Sequence, residues 1–113
     1  TANAYSCGDT KIVIDHPAYK DALRRVGAMY DMDNNIIALS TQFMSQRSKN
    51  VQRFIFAHEC GHYYLKGGTE FEADAYAIEV FKKNKGKLEE SDLQNICSDI
   101  GPDRCARIRE QIK

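Results

Sequence analysis

The segment His58-Glu59-Cys60-Gly61-His62 has the residue types and the spacing of a metal site on a helix. At about 100° per residue, His58 and His62 lie about 40° apart and one turn apart, so both imidazoles can reach one cation. Glu59 lies about 60° from His62 on the same side, near enough to contact a metal-bound water without binding the metal. We therefore predict a hydrolytic zinc site with two histidine ligands and Glu59 as the general base.

A second helix is predicted to start soon after the first one ends. Gly67 and Gly68 are a helix stop signal. Thr69 is suited to be the next N-cap, with Glu72 three residues later as its capping-box partner. The second helix therefore begins at about residue 70.

The third zinc ligand is expected on this second helix, because a catalytic zinc has three protein ligands and an open position. Glu70 and Asp74 are four residues apart and share one helix face. Glu70 can complete the site, and Asp74 can accept the outer N–H of a ligating histidine and fix its tautomer. Two alternatives stay open: Asp74 as the ligand itself, and Glu72, which points about 200° away from Glu70 and fits the cap better.

The HECGH segment, followed by Glu70-x-x-x-Asp74 and then Ala75-Tyr76-Ala77, resembles the gluzincin clan of metallopeptidases. The similarity is greatest to the small soluble minigluzincins and to the catalytic segments of CAAX-protease/HtpX-type and ImmA/IrrE-type peptidases, over roughly residues 26–82. It implies a zincin-like fold, one zinc ion and endopeptidase action on a peptide or protein substrate. It also implies Glu70 as the third ligand and Asp74 beside a ligating histidine.

In the expected reaction, Glu59 takes a proton as zinc-bound water attacks a peptide carbonyl, and it passes the proton to the leaving amine. The developing oxyanion needs a donor besides zinc. Tyr76 is our first choice because tyrosine or phenylalanine recurs there in the patterns that this segment resembles, although the residue usually serves packing. The other candidate donors are Tyr30, Tyr63, Tyr64 and His16.

Two other functions stay open. A non-catalytic, zinc-stabilised binding module would fill the fourth metal position, usually with cysteine, and would have no use for Glu59. A latent peptidase would block the metal with its N-terminal segment Cys7-Gly8-Asp9, through the thiolate of Cys7.

The four cysteines form an even set, which predicts up to two disulfides and a secreted or periplasmic protein. Cys97 and Cys105 flank a Gly-Pro pair, so we expect them on two helices joined by a tight turn and bonded to each other. Cys60 points about 200° from His58, away from the metal, and can pair with Cys7. The alternative is a cytoplasmic enzyme with buried free thiols.

Length and charge narrow the functional classes. The 113 residues suit one domain over 1–113, expected to be monomeric. Sixteen acidic and sixteen basic residues cancel, so no basic field is present to recruit nucleic acid. No apolar run is long enough to cross a membrane. The start at threonine rather than methionine suggests a processed terminus.

The elements that position the site predict an α+β fold, with a small β-sheet packed on a helical core. In chain order they are a strand at 11–14, a helix at 17–25, a β-hairpin at 26–40 with its turn at 31–35, a polar connector at 41–50, and helices at 51–66, 70–84, 88–101 and 102–113. The strand at 36–40 is in the right place in the sequence to border the cleft and to bind an extended substrate peptide by backbone hydrogen bonds. The alternative is that Ile36, Ile37 and Leu39 only fill the core.

Overall fold

The computed structural model describes residues 5–112 and has the predicted α+β architecture. The described residues form β1 (Lys11–Ile14), a 3-10 helix (Pro17–Tyr19), α1 (Leu23–Val26), β2 (Ala28–Asp31), β3 (Ile36–Leu39), α2 (Thr41–Ser45), α3 (Lys49–Tyr64), α4 (Glu70–Lys83), α5 (Glu90–Ile100) and α6 (Pro102–Gln111). The three strands make one mixed sheet, and the long helices form the other layer. Among the described helices, none is both long and apolar enough to cross a membrane.

The strand order is β1-β3-β2, which places β3 in the middle of the sheet. It pairs in parallel with β1 and antiparallel with β2. The expectation that a substrate peptide adds to the strand at 36–40 is therefore wrong, because both edges of β3 are already occupied. A hairpin pattern alone does not show that an earlier strand pairs with β3. Within residues 5–112 no strand pairs with the other side of β2, so the free edge of the hairpin belongs to β2.

Helix α3 lies between the sheet and the other helices, as its apolar residues on nearly all faces predict. Val51, Phe54 and Ala57 pack into a core with α4, α5 and α6. Phe56 and Cys60 face the opposite way and pack against residues of β2 and β3. The helix that carries both histidines is thus fixed from two sides.

Two segments differ from the prediction. The helix expected at 17–25 is a 3-10 turn followed by the one-turn α1, which ends where Gly27 adopts a left-handed φ of +72°. The connector expected at 41–50 contains α2 and the start of α3. The signals for both helices are N-caps: Ser40 Oγ accepts from Phe43 N at 3.2 Å and Ser48 Oγ accepts from Val51 N at 3.1 Å.

Both favoured disulfides are present, Cys7–Cys60 and Cys97–Cys105. The first joins the N-terminal segment to α3, and the second joins α5 to α6. Since the Cys7 sulfur is bonded to Cys60, it is not available as a thiolate. The suggested cysteine switch at Cys7 is therefore wrong.

Candidate metal centre

Three polar atoms from α3 and α4 converge on one point. His58 Nε2 and His62 Nε2 are 3.2 Å apart, and Glu70 Oε1 lies 2.9 Å from the first and 2.7 Å from the second. A tetrahedral zinc site with bonds of about 2.0–2.1 Å places its ligand atoms about 3.3 Å apart. The separation of the two histidine nitrogens is close to this spacing. The two contacts with Glu70 Oε1 are shorter and have hydrogen-bond length, so the three atoms surround one point but lie closer together than three zinc ligands would.

The outer nitrogens of the two histidines are held by acceptors. His58 Nδ1 lies 2.8 Å from Asp74 Oδ1, and His62 Nδ1 contacts the carbonyl oxygen of Gly67. A carboxylate and a carbonyl only accept, so both Nδ1 atoms carry the proton. When both rings are neutral, their Nε2 lone pairs therefore face each other and the Glu70 carboxylate, which is the arrangement that binds a cation.

The turn between α3 and α4 places Gly67 beside His62. Gly67 has a φ of +107° and Gly68 a φ of +67°, which are left-handed backbone conformations that favour glycine. The Gly67 amide donates to the His62 carbonyl at 2.8 Å, so the chain folds back over the last turn of α3. This reversal also brings the first residue of α4, Glu70, next to both histidines.

The cap of α4 separates the roles of its acidic residues. Glu72 Oε1 accepts from Thr69 N at 2.8 Å and Thr69 Oγ1 accepts from Glu72 N at 3.1 Å, which is the predicted capping box. Glu72 is therefore occupied away from the histidine nitrogens. Asp74 reaches the outer side of the His58 ring rather than its inner nitrogen. Of the three acids considered as the third ligand, Glu70 is the one that contacts both Nε2 atoms.

Glu59 is half-buried beside the histidines. One potential ligand atom each from His58, Glu59 and His62 lies within 4.8 Å of the others, so this group could hold a metal ion. Burial raises the pKa of Glu59 to about 7, although the two histidines lower it. A carboxyl with a pKa near neutrality is well suited to accept and return a proton.

The electrostatics of the site favour a positive charge at the convergence point. Burial lowers the pKa of His58. The hydrogen bonds to the Asp74 and Glu70 carboxylates raise this pKa by more than burial lowers it, and the net result is a pKa of about 9. The same contact with His58 is the main cause that lowers the pKa of Glu70 to about 2. The surrounding carboxylates thus stabilise a cation between the two histidines, whether it is a proton or a metal ion.

Arg104 of α6 belongs to the site but was not identified from the sequence. Its Nε donates to Asp74 Oδ2 at 2.9 Å and its Nη2 to Asp74 Oδ1 at 2.8 Å, while Nη1 lies 3.8 Å from Glu70 Oε2. Asp74 is only 1% exposed, and a buried carboxylate needs a paired cation. The apolar residues around Asp74 in the sequence already indicate a buried acid that needs a basic partner. Which basic residue meets it depends on how α6 packs on α4.

The histidines and Glu59 lie in an open cleft of about 610 Å³. Ala28, Met29 and Tyr30 of β2 line it, and so do Ile96 and Ile100 of α5. The cleft thus reaches from the free edge of the sheet, past the convergence point, to the C-terminal helices.

The predicted oxyanion donor Tyr76 lies elsewhere. It packs on the other side of α3, where a Cβ at Gly61 would come 3.1 Å from the Tyr76 Cβ. Its ring stacks on Tyr64 with centroids 5.7 Å apart, and both line a separate pocket beside Cys60. The structure therefore gives Tyr76 a packing role and places the exposed Tyr64 outside the cleft of the histidines.

Of the remaining candidate donors, Tyr30 is the one that lines the cleft, and its hydroxyl donates to Asn35 Oδ1 at 3.0 Å. The Tyr63 hydroxyl donates to Asp9 Oδ1 at 2.7 Å. His16 caps the short 3-10 helix. The side chains of Tyr30, Tyr63 and His16 are thus each hydrogen-bonded to a group outside the metal site.

Comparisons with protein-family models, with curated proteins and with solved structures give no match for the chain. The interpretation of the site therefore rests on its donor atoms and their geometry. Two imidazole nitrogens, one carboxylate oxygen and a neighbouring carboxyl with a raised pKa are brought together in one cleft.

Proposed function

We propose that the protein is a zinc-dependent endopeptidase, with His58, His62 and Glu70 as metal ligands and Glu59 as the general base. The observation that carries the proposal is the convergence of the two Nε2 atoms and Glu70 Oε1 within 3.2 Å of one another. Because both outer nitrogens are already bonded, the inner nitrogens are left to bind a cation.

The donor set favours a catalytic zinc site over a structural one. Two imidazoles and one carboxylate are a common ligand set of catalytic zinc, whereas structural sites fill the fourth position, usually with cysteine. All four cysteines of this chain are used in the two disulfides. A zinc-stabilised binding module therefore has no cysteine to close the site, and the convergence point lies open to the cleft.

The protein side chains divide the work of hydrolysis between them. His58, His62 and Glu70 would hold a zinc ion, which would supply an activated water near neutral pH and a Lewis acid for the peptide carbonyl. Glu59 takes the proton of the attacking water and returns it to the leaving amine, for which a pKa of about 7 is well matched. Asp74 and the Gly67 carbonyl keep the two histidine rings in the orientation that binds the metal.

The free edge of β2 is the binding surface we propose for the substrate backbone. The Gly27 carbonyl accepts from Ser40 N at 2.9 Å, so the backbone N–H and C=O groups of Gly27 point toward the β3 side of the sheet. Along an antiparallel strand, residues whose backbone groups bond to the partner strand alternate with residues whose backbone groups point away from it. Ala28 and Tyr30 therefore direct their N–H and C=O groups to the free edge. An extended peptide can pair with these groups beside the metal. Such pairing favours cleavage within a chain rather than at its end.

The two disulfides support a secreted or periplasmic setting. Disulfides form and persist in oxidising compartments and are rare in reducing ones. Cys7–Cys60 and Cys97–Cys105 are compatible with either extracellular or periplasmic conditions. We therefore propose that the enzyme acts outside the cytoplasm on peptides or unfolded protein segments.

The proposal is tested by measuring zinc content and proteolysis in the same preparations. Glu59→Gln should keep zinc but lose about 10²–10⁴-fold in cleavage rate, because the base is removed and the ligands stay. His58→Ala should lose both zinc and cleavage. Glu79→Gln, an exposed glutamate of α4, is the matched control and should retain both.

Two results would reject the proposal. Full proteolysis by Glu59→Gln would exclude Glu59 as the base. Zinc binding without any cleavage of unfolded protein by the wild type would favour the non-catalytic binding module instead.

A further inference from the structure

We infer that Arg104 is a positioning residue of the metal site, and that the Cys97–Cys105 disulfide fixes the helical turn that carries it. The inference rests on the proposed metal site, and it assigns a role there to the C-terminal helix pair. It comes from three observations: the contacts of Arg104, the weak start of α6, and the disulfide next to Arg104.

Arg104 is the outer member of a chain of contacts that ends at His58, one of the proposed metal ligands, and its Nη2 also lies 3.4 Å from His58 Nδ1. Its Nε and Nη2 donate to the two oxygens of Asp74, at 2.9 and 2.8 Å. Asp74 Oδ1 in turn lies 2.8 Å from His58 Nδ1. A bidentate guanidinium fixes the plane of the carboxylate, and the carboxylate then fixes the tautomer and orientation of the His58 ring.

Arg104 lies in the first turn of α6, where helices are held least. The helix begins at Pro102 after Gly101, whose φ of +88° breaks it from α5, and its N-cap makes no side-chain hydrogen bond. First-turn amides have no partner within the helix, so such turns open readily. The buried anchor of α6, Ile108, lies one turn further along and is 0% exposed.

The disulfide supplies the missing attachment. Cys105 follows Arg104 directly and is bonded to Cys97 of α5, eight residues earlier. On α5, Leu93 and Ile96 are buried in the helical core, so this helix is a firm support. The bond thus holds the first turn of α6 against α5, and with it the guanidinium against Asp74.

The chain provides a matched control at the other end of the same helix pair. Arg109 of α6 makes two hydrogen bonds with Glu90 of α5, both at 3.0 Å. This ion pair also links the two helices but contacts none of the metal-site residues. A variant at Arg109 therefore separates general α5–α6 stability from the specific role of Arg104.

The experiment is a double-variant cycle read out as zinc dissociation constants, measured by competition with a chromogenic chelator. Arg104→Gln and the Cys97→Ser/Cys105→Ser pair should each weaken zinc binding, by up to about 10–100-fold. In the Arg104→Gln background, removing the disulfide should cause little further loss, because the disulfide acts through Arg104. Arg104→Lys should give an intermediate affinity, since a single ammonium does not reproduce the two-oxygen contact. Arg109→Gln should bind zinc like the wild type.

A second readout does not need zinc. In the metal-free protein, the His58 Nδ1–H proton observed by NMR should exchange faster with water in Arg104→Gln and in the serine pair, but not in Arg109→Gln. This measurement also works if the wild type binds no zinc, so it separates failure of the inference from failure of the proposed function. Far-UV circular dichroism checks that each variant is folded.

Two results would overturn the inference. Wild-type zinc affinity and proton protection in Arg104→Gln would exclude Arg104 as a positioning residue. An equal loss of affinity on disulfide removal in both backgrounds would show that the disulfide does not act through Arg104. If the serine pair does not fold, Arg104→Gln and Arg104→Lys still decide the first part, and mild reduction of the folded wild type decides the second.

Discussion

Asp74 Oδ1 lies 2.8 Å from His58 Nδ1, whereas the corresponding nitrogen of His62 contacts the neutral carbonyl of Gly67. The two histidines are therefore held by acceptors of different charge. A histidine that is bonded to a carboxylate is a more basic metal ligand than one that is bonded to a carbonyl. The carboxylate also stabilises positive charge on the ring. His58 is also the more buried of the two, at 6% exposure. Its contact with Asp74 should matter more for metal affinity than any other contact outside the ligands.

Substitutions of three acids of α4 should differ in how far they weaken zinc binding, in the order Glu70, then Asp74, then Glu72. Asp74→Ala should weaken zinc binding by about 10–100-fold, because His58 loses its oriented tautomer while all ligands remain. Glu70→Ala should be worse, since a ligand is removed. Glu72→Ala should leave zinc affinity unchanged and cost about 1 kcal/mol of stability, because it removes half of the capping box. Competition titration and urea unfolding measure the two effects.

The control in this series is Glu72→Ala itself, which changes an acid of the same helix turn. If it proves more damaging to zinc binding than Glu70→Ala, the proposed ligand set is wrong.

The free edge of β2 should be tested through its backbone. Tyr30→Pro removes an N–H that faces the cleft edge, so it should raise KM for an extended peptide. Tyr30→Ala loses the same side chain but keeps the N–H, and it should affect KM less. Met29→Pro removes an N–H that bonds to β3 and should lower the melting temperature instead. Equal KM values for the proline and alanine variants at Tyr30 would exclude backbone pairing on this edge.

The local parts of the site could be predicted from the sequence because helical periodicity and capping rules act over a few residues. Spacing alone related His58 to His62, and the Thr69–Glu72 capping box set the register in which Glu70 and Asp74 share a face. The two disulfides followed from the same kind of directional reasoning.

The parts that were missed depend on packing between distant elements. Arg104 is 30 residues from Asp74, and nothing local to α6 indicates that it faces α4. The central position of β3 likewise depends on β1, which lies ahead of the hairpin and pairs in parallel across it. The sequence left Tyr76 with either a donor or a packing role, and the structure confirms packing, because a recurring aromatic residue does not reveal which side of the helix it packs on.

The two disulfides should differ in their resistance to reduction. Cys7 and Cys60 are buried, at 3% and 7% exposure, whereas Cys97 and Cys105 are half-buried at the turn between α5 and α6. Thiol–disulfide exchange requires access for the attacking thiolate, so dithiothreitol should reduce Cys97–Cys105 first in the folded protein. Timed alkylation followed by peptide mass spectrometry measures the order. In denaturant, where both bonds are accessible, the difference in rate should shrink, and a preference for Cys7–Cys60 in the folded protein would contradict this prediction.

Asp92 links the starts of two helices away from the metal site. Its carboxylate accepts from Ser48 Oγ at 2.6 Å, from Asn50 Nδ2 at 3.2 Å and from Glu89 N at 3.0 Å. Ser48 is the N-cap of α3, so this contact connects the start of the helix that carries both histidines with the start of α5. Burial raises the pKa of Asp92, but the hydrogen bonds from Ser48, Glu89 and Asn50 together hold it below its ordinary value of 3.8.

The free energy of unfolding should therefore decrease at acidic pH as Asp92 becomes protonated. Above pH 3.8 the carboxylate is ionised in both the folded and the unfolded chain, and its full contribution is present. As the pH falls through 3.8, the unfolded chain takes up the proton first, and the contribution is lost by the time the pH has passed the lowered folded pKa. Asp92→Asn should be less stable than the wild type at neutral pH, and the gap in the free energy of unfolding should narrow in this acid range. A gap that stays constant from neutral pH down to pH 2 would show that Asp92 does not stabilise the fold through its charge.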